Sequence, residues 1–224
     1  MFEFLKKKPQ PREMRDLLFG DLPIEEWPSA DPPPVEEPWA SFVRARTHLE
    51  AGRKREGIEQ LYGVLGQPDL ESRHYLQAWH FLREAGVQPP DNWAKYVFGV
   101  VVEVGFPQGA DIVAAYTDGK ARYLNHAGSA IVWEAPNDSL SGEIGRLLEA
   151  GNNVAQKIGP WLEARPPAPG NDQVRLNMLT PSGLHFGQGG FQTLAKDSMG
   201  GPIISAALAL MQRLITLSQS GQKS

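Results

Sequence analysis

Asp111, His126 and Ser129 are the three side chains whose types and spacing could do chemistry. If the chain folds into a hairpin here, Asp111 falls opposite His126 and Ser129 lies near a turn. A carboxylate that orients an imidazole beside a hydroxyl is the logic of nucleophilic catalysis, so this set would make a small hydrolase. Yet Ser129 reads as a turn residue and the pair would sit at an exposed hairpin end. A polar cross-strand pair accounts for the same residues without any reaction.

The remaining chemistry-bearing residues argue against an enzyme. The five histidines, His48, His74, His80, His126 and His185, never share a face at metal-ligand spacing. His74 and His80 are six apart, not the i, i+4 of two imidazoles on one zinc, so no metal site is expected. Gly187-Gln188-Gly189-Gly190 and Gly200-Gly201 lack the strand, glycine loop and immediate helix of a phosphate site, because Phe191 to Asp197 intervenes. Glu25-Glu26 and Glu36-Glu37 lie in proline-rich sequence where nothing would separate their pKa values. No catalytic residue and no cofactor is expected.

What remains is a frame for surfaces. Gly99 to Glu134 reads as a four-stranded antiparallel meander. Its strongest signal is Asp118-Gly119 between two alternating runs. A two-residue turn there pairs Tyr116 with Ala121, and a second at Gly128-Ser129 pairs Leu124 with Trp133. That register puts Ile112, Ala114, Tyr116, Ala121, Tyr123 and Val132 on one face. Val113, Ala115, Leu124, Ile131 and Trp133 take the other, beside Lys120, Arg122 and His126. Helices over about 138–158 and 202–218 are expected to cover the first face, whose middle carries no charge. The second face, with Val113, Arg122, Leu124, His126, Ile131 and Trp133, then has the composition of a partner-binding centre. Its cover is either the chain's own helical segment or a second molecule.

Ahead of the meander come an arm and a helical segment. Residues 1–37 are rich in proline and hold five basic against nine acidic residues. Leu17, Leu18, Phe19 and Trp27 are apolar anchors in this otherwise disordered-looking stretch, which suits a strap laid across its own domain or a short peptide offered to a partner. Residues 38–90 carry three helices: from Pro38, from about Arg53 to Leu65, and from Asp69 to Gly86. Residues 91–224 complete the chain with the order ββββ-α-ββ-α, an α+β fold with an antiparallel sheet flanked by helices.

Two resemblances follow from these residues. Glu50-Ala51-Gly52 recurs as Glu84-Ala85-Gly86, a period of 34, and Gly57 stands where two helices would pack closely. Over residues 38–86 the chain therefore resembles a tetratricopeptide repeat, although Ser41 and Trp79 depart from its pattern; the resemblance implies a protein-binding scaffold. The order ββββ-α-ββ-α is similar in outline to profilin-like and roadblock-type domains. Such sheets can hold small ligands against aromatic residues, for which Tyr116, Tyr123 and His185 are candidates. The expectation is a non-enzymatic interaction or adaptor protein, with a small-ligand sensor and the hydrolase as alternatives.

Composition sets the outer bounds. With 224 residues the chain has ample length for a core. A net charge of −4 speaks against nucleic acid as a partner, leaving a protein partner or self-association. There is no cysteine, which suits a reducing cytoplasm. No apolar run is read as a membrane span, and Met1 to Lys8 lacks the pattern of a signal peptide.

Overall fold

The β-branched run Gly99–Phe106 (β1) becomes an inner strand of a six-stranded antiparallel sheet. The structure, a computed structural model, describes residues 14–24, 34–134 and 137–221. Three helices precede the sheet: α1 (Trp39–Glu50), α2 (Lys54–Leu65) and α3 (Ser72–Glu84). A single turn, α4 (Asp91–Ala94), leads into β1. Then come β2 (Gly109–Tyr116), β3 (Ala121–Leu124), β4 (Ala130–Trp133), α5 (Ser141–Ala155), β5 (Gln173–Thr180) and β6 (Gly183–Gly190). The chain closes with the short α6 (Phe191–Leu194) and the long α7 (Gly200–Gly221). Strand order is β4-β3-β2-β1-β5-β6, an α+β architecture with helices on both faces.

One face carries Val100, Val102, Val113, Ala115, Leu176 and Met178 and packs under α5 and α7. In α5 the residues Ile144, Leu147, Gly151 and Ala155 recur at helical spacing and are buried. Gly151 is required there, since a Cβ would lie 2.4 Å from Val100 Cγ2. Helix α7 buries Ile203, Ala207, Leu210 and Leu214 along one stripe. Its segment Gly200–Ser220 is, by length and composition, apolar enough to cross a membrane, contrary to the reading of the sequence. Here that stripe lies in the core. The described residues hold no second helix of that length and composition.

The other face holds Val101, Ile112, Ala114, Tyr116 and Leu124, covered by Leu18, Phe19 and Leu76. The sequence reading put α5 and α7 on this face, and the structure reverses it. The physical reason is polar: Glu103, Asn177 and Arg175 also project here and are buried, so two plain apolar helices could not satisfy it.

The register of β3 differs as well. Both outer hairpins close with three-residue loops ending on a left-handed glycine, Gly119 (φ 79°) and Gly128 (φ 87°), instead of two-residue turns. Ala115 therefore pairs with Ala121, a slip of one residue from the expected register. Leu124 pairs with Ala130, a slip of three. One odd slip inverts β3, so Ala121 and Tyr123 join Val113 while Arg122 and Leu124 join Tyr116. The second odd slip restores the phase of β4. Loop geometry is fixed from outside: the Asp118 carboxylate accepts the Ser72 and Lys120 N–H groups at 2.8 and 3.0 Å.

Helices α1 to α3 enclose a small cluster around Phe42, Leu61, Phe81 and Leu82. Gly57 lets α2 close on α1, because a Cβ there would meet Leu49 Cγ at 2.6 Å. Helix α3 begins at Ser72 and not at Asp69, whose φ of 60° takes it out of the helix. Helix α5 starts at Ser141, three residues beyond Asp138.

Candidate functional site

On α3, Ser72, Tyr75 and Trp79 recur at helical spacing and line one wall of a groove. Tyr62 from α2, Trp93 from α4, and Tyr96 and Phe98 from the segment just before β1 line it as well. Together they line an open groove of about 1100 Å³. Phe98 is the floor, stacked between Tyr75 (5.5 Å) and Trp93 (6.4 Å), with Tyr96 edge-on at 4.8 Å. Tyr62, Trp93 and Tyr96 remain 48%, 46% and 44% exposed, a large wet aromatic area for a monomer. The Tyr75 hydroxyl donates to the Gln67 carbonyl at 2.6 Å, which locks its ring.

One end of the groove is ionic. Lys120 Nζ bridges Glu71 (2.7 Å) and Glu134 (3.1 Å), and Arg73 meets Glu71 at 2.6 Å. Burial pushes the Glu71 carboxyl up, but hydrogen bonds from Lys120 and Arg73 overrule it and hold it at about 2. With Asp69 and Asp118, the lining has three carboxylates and one lysine. The rim is acidic.

The predicted partner surface does not form. Val113, Ile131 and Trp133 lie on the face under α7, packed into its core cluster. Arg122 and Leu124 lie on the opposite face, and His126 sits in the β3–β4 loop. The Arg122 guanidinium is itself consumed, donating to the Ala121 and Trp133 carbonyls and pairing with Glu134.

The arm is seated more deeply than its apolar anchors alone suggested. Leu18 and Phe19 are buried in the sheet-face cluster, whereas Leu17 is 45% exposed; Trp27 lies outside the described residues. Arg15 Nε meets Glu103 Oε1 at 2.5 Å, and Glu103 is fully buried. The Phe19 ring has the guanidinium groups of Arg15 (5.3 Å) and Arg165 (4.0 Å) over it. Arg165 in turn holds Asp16 and Asp21 at 3.0 and 2.7 Å. Tyr116 donates to the Leu18 carbonyl at 2.7 Å, and Gln77 bonds both the N–H and the C=O of Leu22. This polar latch was not foreseen; its one sequence signal is a lone glutamate inside the apolar run VVVEV.

Asp111 and His126 do meet, Nδ1 to Oδ1 at 2.7 Å. The same carboxylate accepts the His126 backbone N–H at 2.8 Å and the Tyr123 hydroxyl at 3.1 Å. Ser129, however, closes the loop through its backbone, its N–H donating to Asn125 Oδ1. No hydrogen bond joins its hydroxyl to His126 among the described residues. The arrangement is a fastened hairpin end.

The three candidate sensor residues do not meet. Tyr116 is buried beneath the arm, while Tyr123 and His185 are separated by β2, β1 and β5, roughly 19 Å at the usual strand spacing. Instead His185 Nε2 contacts the Ser182 hydroxyl at 3.0 Å in the β5–β6 hairpin. Burial pushes the imidazole down to about 4, against a backbone hydrogen bond at Ile158 that raises it. The neutral ring is therefore the folded form. An unfolded histidine takes its proton near its ordinary pKa of 6.5, so stability falls as pH drops from 6.5 to about 4. The expected loss is about 2–3 kcal/mol, a value lowered from the full shift to allow for residual solvation. Urea midpoints across this range should be flatter with pH in His185→Gln; equal slopes would remove His185 as the cause.

The glycine pair that opens α7 also has a structural use. A Cβ at Gly200 or Gly201 would lie 2.9 or 2.8 Å from the carbonyl oxygens of Leu194 or Ala195. Asp197 already supplies an anion there, accepting the Met199 and Gly200 N–H groups at 2.8 Å. No group of three or more metal-ligating side chains occurs among the described residues. Compared with known proteins, the chain matches no protein family, no curated protein and no solved structure.

Proposed function

We propose that the protein is a non-enzymatic interaction module that takes an extended, proline-containing, basic segment of a partner protein in the groove of Tyr62, Tyr75, Trp93, Tyr96 and Phe98. The observation that carries this reading is the row of half-exposed aromatic rings over a buried Phe98 floor. Proline-rich segments dock on aromatic-lined grooves because the polyproline II helix is already ordered before binding. The groove, at about 1100 Å³, is larger than the usual range of about 300–1,000 Å³ for a small-molecule pocket. Asp69, Glu71 and Asp118 on its rim favour basic residues flanking the prolines. Helices α2 and α3 supply one wall, the role that a tetratricopeptide-like segment would have.

A polyproline peptide flanked by arginines, titrated against the intrinsic tryptophan fluorescence, tests the reading. Trp93→Ala and Tyr96→Ala should each weaken binding by about tenfold or more, as exposed aromatic hot spots do. Their melting temperatures should hardly move, since both rings are at the surface. A glutamate-flanked peptide should bind more weakly. Unchanged affinity in both variants would overturn the assignment of the groove.

A further inference from the structure

We infer that a second site, independent of the aromatic groove, takes a small apolar molecule with a cationic head, between α7 and the sheet. The cavity there measures about 640 Å³, within the range of about 300–1,000 Å³ that small-molecule pockets occupy. Its floor is Val102, Val104 and Val113, and its opposite wall is Ala207, Leu208 and Met211 of α7. Ala207 and Val102 are almost fully buried, yet Leu208 and Phe106 at the mouth are more than a third exposed. An apolar recess thus opens to water through an apolar lip, where α5 does not reach.

The mouth selects the head group. Asp111 and Asp172 stand there with Gln173, Gln192 and Thr193, and no lysine or arginine lines the cavity. Asp172 is held at the rim by its backbone, which bonds the Gly105 carbonyl at 3.2 Å and the Phe191 N–H at 2.9 Å, with φ at 60°. Its carboxylate accepts only Asn171 Nδ2, at 2.8 Å, among the described residues. Asp111 accepts His126 twice through Oδ1 and Tyr123 once through Oδ2, which leaves lone-pair capacity on Oδ2. Two carboxylates over an apolar floor favour a primary amine on a short hydrocarbon body and disfavour the matching carboxylate.

The neutral fluorophore N-phenyl-1-naphthylamine, added to the full chain, reports occupancy of the recess. Octylamine should displace it at about tenfold lower concentration than octanoate does, the ratio expected of one charge-assisted hydrogen bond. Ala207→Leu fills the recess and Met211→Trp narrows it from the α7 side; each should abolish the fluorescence gain. Asp172→Asn suits the same left-handed backbone, and combined with Asp111→Asn it should remove the preference for the amine while the fluorophore still binds. A fluorophore signal that survives both blocking variants overturns the site. So does its loss in Trp93→Ala, which would put the probe in the aromatic groove. Octanoate competing as well as octylamine overturns the cationic head.

Discussion

Arg15→Ala should lower stability by about 3 kcal/mol, the low end of the cost of stranding one member of a buried ion pair. Glu103 has no exposed surface, and Arg15 is its closest cation, at 2.5 Å. The loss stays at the low end because Asn177 Nδ2 at 3.1 Å and Arg175 at 3.7 Å remain beside the carboxylate. Urea denaturation reads the effect directly, and the melting temperature should fall by about 6–12 °C for a chain of this size. Glu103→Gln added to Arg15→Ala should recover part of the loss, since the buried carboxylate is gone while the Arg175 guanidinium loses its anion but keeps Gln188 and the Pro166 and Pro167 carbonyls. A single variant within experimental error of the parent would show that Arg175 suffices and that the arm is not latched by charge.

Phe19→Ala should cost about 3–5 kcal/mol, the usual penalty for emptying the space of a buried large aromatic. The ring lies near both arginines of the latch, with the guanidinium groups of Arg15 and Arg165 at 5.3 and 4.0 Å from its centroid. Phe19→Leu separates packing from cation–π attraction. It keeps most of the apolar burial and should cost only about 1–2 kcal/mol. Chemical denaturation of both variants checks the pair of values, and equal losses would mean that the ring face contributes little. In Phe19→Ala the Leu18 amide proton, which bonds the Arg15 carbonyl within the arm, should also exchange faster, because that turn depends on the arm staying down.

What the sequence made legible were local periodicities. The stripes of α5 and α7, the alternation in β1 and β2, and the close approach at Gly57 all follow from residues within one or two turns of each other. Leu18 and Phe19 were legible as anchors because apolar residues in an acidic, proline-rich stretch need a reason. The register of β3 was not, since Asp118-Gly119 suits a two-residue turn equally well. The choice was made by Ser72 and Phe98, distant in sequence, which hold Asp118 and Thr117 in place. The same holds for the groove: Tyr62, Tyr75 and Trp93 lie on three different helices and Phe98 on the link into β1, and each alone is an ordinary aromatic. Glu103 was visible as an anomaly, but its partner lies 88 positions away. Charges in a buried face reorder which helices can cover it, and no local pattern reports that.

The seat of the arm is spread along the chain in a way that matters while the chain is being made. Asp16 and Arg165 are 149 positions apart, and Arg15 reaches the Pro166 carbonyl across 151. At about 5–20 residues per second, Arg165 is synthesised roughly 7–30 s after the arm it holds. Throughout that interval Leu18 and Phe19 have no finished surface to close on. Local contacts in α1 to α3 form early, and the pairing of β5 with β1 must await the late segment. The strap is therefore synthesised well before the residues that fasten it, and for those seconds the nascent chain offers a chaperone an apolar handle.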